Sequence, residues 1–146
     1  MKDFAPYQQS LELKELGFDE PCFANYTVIP EDKIDWFTIP EQGITNKTSF
    51  GSSKNYNSKY FEEEGTISAP TYSQAFRWFR EKYGLHQNIT QYYGERFYFK
   101  IEDMFFPRRH EDYPIEKLRD LGEYVSQEEA ELACLNKLIE IVKDGK

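Results

Sequence analysis

SAPTYSQAFRWFREKYGLHQNITQYYGERFYFKI, residues 68–101, is the stretch that decides the fold class. Thr71 is placed as a helix N-cap and Gln74 lies three positions on, the spacing of a capping box. The Thr hydroxyl can accept from an unpaired backbone N–H while the Gln amide reaches back. Phe76, Phe79 and Tyr83 then form one helical stripe, with Ala75 and Trp78 beside it. Gly84 is the expected stop and Leu85 the residue that packs beneath it. Two strand-like runs follow, residues 86–93 and 96–103, separated by Gly94-Glu95. Glycine in the first loop position suits a two-residue type II′ turn.

That turn sets an expected register. It pairs Tyr93 with Arg96, Gln91 with Tyr98 and Ile89 with Lys100 on one face. Tyr92 with Phe97, Thr90 with Phe99 and Asn88 with Ile101 then share the other, taken as the core side. The first face displays Ile89, Tyr93, Arg96, Tyr98 and Lys100 to solvent or to a partner. A slip of one residue inverts the assignment, because side chains alternate with period two.

Moving outward, residues 6–16 read as a short helix. Pro6 suits a first turn, Tyr7 with Leu11 and Leu13 with Leu16 share faces, and Gly17 is a left-handed stop onto which Phe18 folds back. Residues 22–29 are rich in β-branched and aromatic groups and are ended by Pro30, which marks a strand. Residues 35–39 form a second candidate strand before Pro40. Between residues 41 and 65, Gly, Ser, Asn, Thr and Lys dominate, and a mobile, protruding polar loop is expected. Residues 104–125 stay open between a helix at 112–121 and an irregular loop. The last helix runs over residues 126–143, with Ser126 and Glu129 as a second capping box and Val125 with Ala130 as a hydrophobic staple. Its stripe is Ala130, Cys134, Leu138 and Ile141, flanked by Leu135, Ile139 and Val142.

These elements predict a single α+β domain over residues 1–146. An antiparallel sheet of three or four strands is expected, covered on one face by helices 71–83 and 126–143, with a short N-terminal helix. At 39% hydrophobic content the chain leans on its 12 Phe, 11 Tyr and 2 Trp for a core.

Charge and composition narrow the function. The net charge of −8 opposes simple binding to a phosphate backbone. Residues 76–110 are the exception, with 7 Lys/Arg against 4 Asp/Glu. With two cysteines, no apolar leader after Met1 and no run of membrane-spanning length, a cytoplasmic protein off the membrane is expected.

Catalytic constellations are missing from the pattern. His86 and His110 lack partners at zinc spacing, and the His110-Glu111-Asp112 cluster reads as a solvated charged loop, so no metal and no cofactor is expected. Cys22 and Cys134 have no adjacent base, and Phe50-Gly51-Ser52-Ser53-Lys54 lacks the glycine spacing of a phosphate loop. Four functions stay on the table. The first is a non-enzymatic module that binds another protein through Ile89, Tyr93, Arg96, Tyr98 and Lys100. The second is a nucleic-acid-associated protein using the basic–aromatic alternation Arg96-Phe97-Tyr98-Phe99-Lys100. The third is an acidic mimic of DNA built on the carboxylates of residues 1–40 and 111–146, and the fourth an enzyme with a site assembled from remote carboxylates.

Residues 68–85 and 128–142 together resemble small uncharacterised proteins of phages, prophages and gut bacterial genomes. The likeness implies an accessory, mobile-element-linked cytoplasmic protein. That family carries no agreed activity, so no functional residue is transferred from it.

Overall fold

The computed structural model describes residues 3–29, 34–38, 54–61, 65–92, 96–104 and 124–145. The fold is α+β, and the chain divides into two compact units meeting in sequence at Thr71 and Tyr72.

The first unit holds helix α1 (Tyr7–Glu15) and strands β1 (Ala24–Ile29), β2 (Ile34–Thr38) and β3 (Thr66–Ala69). β1 is central, antiparallel to both neighbours, in the order β2-β1-β3. Tyr26 stands opposite Phe37 on one side and Ile67 on the other. Pro6 is the N-cap of α1 rather than its first helical residue: its backbone is extended, and its carbonyl accepts from Ser10 N–H at 2.9 Å. The other end closes as expected. Gly17 adopts φ 92°. Its N–H donates to the Lys14 carbonyl, and Phe18 N–H reaches back to that of Leu13 at 2.9 Å. This Schellman closure drives Phe18 under the helix, where it and Leu13 are buried. α1 packs on β3, and Tyr26 ties the layers by donating its hydroxyl to the Ala5 carbonyl at 2.9 Å.

β3 has no counterpart in the sequence expectations. Thr66-Ile67-Ser68-Ala69 offers only one large apolar side chain, too little for a strand signal, yet all four residues are buried. Of the expected polar loop, residues 54–61 and 65 are described. They include a 3-10 turn (Lys59–Phe61). Tyr56 in this segment is buried in the core while Tyr60 is exposed, so the chain is anchored inward at Tyr56 where a protruding loop was expected.

The second unit holds α2 (Tyr72–Tyr83), β4 (Leu85–Tyr92), β5 (Arg96–Asp103) and α3 (Gln127–Asp144). α2 buries Tyr72, Ala75, Phe76, Trp78 and Phe79, close to the expected stripe. Gly84 takes φ 67°, a left-handed value that a Cβ would penalise, and Leu85 is buried beyond it. α3 buries all seven of its expected apolar positions. Ser126 caps it, accepting from Glu129 N–H at 3.2 Å. The Glu129 carboxylate accepts from Val125 N–H rather than from Ser126. Val125 itself is exposed, so the expected staple with Ala130 does not form.

Both helices pack on the β4–β5 hairpin. The expectation of one three- or four-stranded sheet beneath them needs correcting. The strands divide between two sheets, and the one beneath α2 and α3 has two strands, extended by a single bridge between Phe97 and Tyr124. The cause is local. Sequence neighbours β4 and β5 satisfy each other, while β1 to β3 pair within the first unit. The possible helix at 112–121 and the His110-Glu111-Asp112 cluster lie outside the described residues.

Candidate functional site

The outward face of the hairpin is set by its register. Tyr92 stands opposite Arg96, Thr90 opposite Tyr98, Asn88 opposite Lys100 and His86 opposite Glu102. The connection is therefore residues 93–95, three residues rather than the expected two, and every pair shifts by one. Packing explains the shift. The observed register sets Leu85 and Ile89 on the same face as Phe99 and Ile101, where Leu85, Phe99 and Ile101 are buried. The expected register would have placed Asn88 and Thr90 there and left Ile89 in water. Covering Leu85 fully and Ile89 partly, in place of Asn88 and Thr90, outweighs the preference of Gly94-Glu95 for a tighter turn.

The expected binding residues divide accordingly. Arg96, Tyr98 and Lys100 share the outward face: Arg96 is exposed, and Tyr98 and Lys100 are half-buried. Ile89 is a correction. It pairs with Phe99 on the opposite, core-facing side. Tyr93 lies outside the described residues. The residues that accompany Arg96, Tyr98 and Lys100 are His86, Asn88, Thr90 and Glu102, which the sequence reading did not select. Strict alternation along residues 86–90 would have found the three on β4 once the loop length was known, and the same alternation along β5 finds Glu102.

The resulting strip reads basic–aromatic–basic along β5, with polar hydrogen-bonding groups on β4. Lys100 forms an ion pair with Glu102, an exposed contact that contributes little stability but holds one cation in place. Backbone hydrogen bonds fix the strip from beneath. Phe97 exchanges both of its bonds with Tyr124, at 2.9 and 3.0 Å, and the Tyr124 ring stacks on Phe99 at 6.0 Å. Met104 N–H closes the far end on the Gly84 carbonyl at 2.8 Å.

The thiols carry no nucleophilic chemistry as they stand. Neither Cys22 nor Cys134 is in a disulfide, and both are fully buried. Burial pushes the Cys22 thiol up to about 12, with Ser68 partly offsetting and Glu20 adding to the rise. Such a thiol is protonated and inert at neutral pH. Among the described residues no group of three or more His, Cys, Asp or Glu converges to hold a metal ion. Among them, too, no helix is long and apolar enough to cross a membrane.

No protein-family model, curated protein or solved structure matches the chain.

Proposed function

We propose that the chain is a non-enzymatic interaction module that binds another protein through the outward face of its β4–β5 hairpin. One observation carries this: the register gathers Arg96, Tyr98 and Lys100 into one strip, directed away from the core. Arg and Tyr are favoured anchors at interfaces, since each couples a large contact area to a directional polar group. Their placement on a hairpin backed by two helices supplies rigidity, which lowers the entropy lost on binding. Two cysteines outside any disulfide fit a reducing compartment such as the cytoplasm.

The test compares capture from the native host by the wild-type chain and by a combined Arg96→Ala, Tyr98→Ala, Lys100→Ala variant. It is followed by titration of the purified partner. Arg96→Ala or Tyr98→Ala is expected to weaken Kd by about tenfold or more. Unchanged affinity in all three single variants, with circular dichroism intact, rejects this face.

The basic–aromatic–basic alternation also favours a second reading, a single-stranded nucleic acid lying along β5 with a base on Tyr98. The net charge of −8 opposes it. Fluorescence anisotropy with labelled single-stranded oligonucleotides at low salt decides: a salt-sensitive rise supports this reading, and a flat titration removes it.

A further inference from the structure

We propose that two copies of this chain pair antiparallel along β4, with Ile89 opposite Ile89 of the second copy, to form one four-stranded sheet. The edge they use follows from the hairpin register. Met104 N–H donates to the Gly84 carbonyl, and the β4–β5 pairs run in step from there. Even-numbered residues of β4 therefore turn their backbone groups towards β5, while Leu85, Gln87, Ile89 and Gln91 turn theirs to the opposite edge. The two bonds exchanged by Phe97 and Tyr124 obey the same alternation on the far side of β5. Among the described residues, β5 is the one strand paired with β4.

Three observations point to a second β4 as the occupant. The first is charge. The eight residues of β4 include no Asp, Glu, Lys or Arg, and no Pro or Gly. Edge strands are ordinarily kept apart by such residues. β5 carries Arg96, Lys100, Glu102 and Asp103, and β2 carries Asp35. In a chain of net charge −8, an uncharged strand is where two copies approach with least repulsion. The second is Gln87, whose Oε1 is buried without a hydrogen-bond partner. With Ile89 on the two-fold axis, Gln87 stands opposite Gln91 of the second copy, whose amide is a donor. The third is the fall of burial along the helix-packed side. Leu85 is buried, Gln87 and Ile89 are half-buried, and Gln91 is exposed. Antiparallel pairing sets the covered start of one strand beside the uncovered end of the other.

Side-chain matching fixes the register. A slip of two residues in either direction sets Ile89 against a glutamine and separates Gln87 from Gln91 of the second copy. The central register alone joins apolar to apolar and amide to amide, and such directly opposed pairs are what stabilise a sheet. The dimer is independent of the binding face proposed above. Arg96, Tyr98 and Lys100 lie on β5 and on the outward face, so the joined sheet carries two copies of that strip.

Analytical ultracentrifugation of the intact chain tests this first. A reversible monomer–dimer equilibrium is expected. Because both copies are acidic, screening should tighten it about threefold or more between about 0.05 and about 0.5 M salt. Gln91→Pro deletes an edge N–H without touching the ladder to β5, and should weaken the dimer about tenfold or more. Cross-linking reads the register. Ile89→Cys sets two thiols across the axis with Cα atoms about 5.5 Å apart, and mild oxidation should yield a covalent dimer. Thr90→Cys is the control. Thr90 is exposed, but it lies diagonal to its counterpart at about 7–8 Å, too far to bridge, and should yield none. Cys22 and Cys134 are buried and do not compete. Four results overturn the proposal: a chain still monomeric at about 1 mM, a dimer that weakens as salt rises, an undiminished dimer in folded Gln91→Pro, or cross-linking as efficient at Thr90→Cys as at Ile89→Cys. The first two need no variant and decide the matter should the variants fail to fold.

Discussion

Cys22 shows how one side chain couples to the conditions around it. Its thiol is pushed from 9.0 to about 12 in the folded chain. The unfolded chain therefore releases this proton first. The stability tied to it is intact below about pH 9 and is lost as pH climbs towards 12. The phenols of Tyr56 and Tyr83 are raised by burial too and act in the same direction. Thermal melts should show Tm falling as pH rises from about 8 to about 11, with a shallower fall in Cys22→Ala. A Tm independent of pH across that range would contradict the burial of these groups. Gln87 offers a different residue-scale test. It stands on the core-facing side of β4, opposite Ile101, and its side-chain oxygen is buried without a hydrogen-bond partner among the described residues. An unsatisfied acceptor costs stability that an apolar side chain of similar size would not. Gln87→Leu is expected to stabilise the chain by about 0.5–2 kcal/mol in urea unfolding; a loss would mean that the amide has a partner.

At the scale of elements, the helices were the most legible. A cap, a stripe at period 3.6 and a glycine stop are all local signals, and each marks its boundary through the residues immediately around it. Two substitutions probe these boundaries by chemical denaturation. Ser126→Ala removes the acceptor for Glu129 N–H and should cost about 1 kcal/mol. Gly84→Ala forces a Cβ into φ 67° and should cost about 1–2 kcal/mol. No measurable change in either would show that the helix end is held by something other than its cap. The strands were less legible. Residues 86–103 were correctly seen as a hairpin, but Gly94-Glu95 favoured a two-residue turn while the core-facing pairing of Ile89 with Phe99 requires three. Turn chemistry is local and weighs little against core packing summed along eight paired positions. The β3 strand escaped notice because Thr66, Ser68 and Ala69 are small. They are buried by the surroundings that α1 and residues 56–57 provide, not by their own hydrophobicity.

For the whole molecule, the α+β class was legible, since alternating helical and strand-like periods admit little else. The division of strands between two sheets was not, because pairing partners compete and sequence ranks them poorly. The candidate face was half legible. Arg96, Tyr98 and Lys100 alternate along one strand and share a face under any register. Ile89 and the β4 residues depend on how the second strand slides against the first. The ties of residues 54–57 to Phe18, Cys22 and Ser68 could not be read at all, as they join distant residues through contacts that leave no periodic trace. Sequence alone determined where the helices begin and end and which β5 side chains travel together, because those follow from short-range geometry. Only the tertiary structure decided the register, the partition of the sheets and the burial of Ser68, because these depend on which distant groups exclude water from one another.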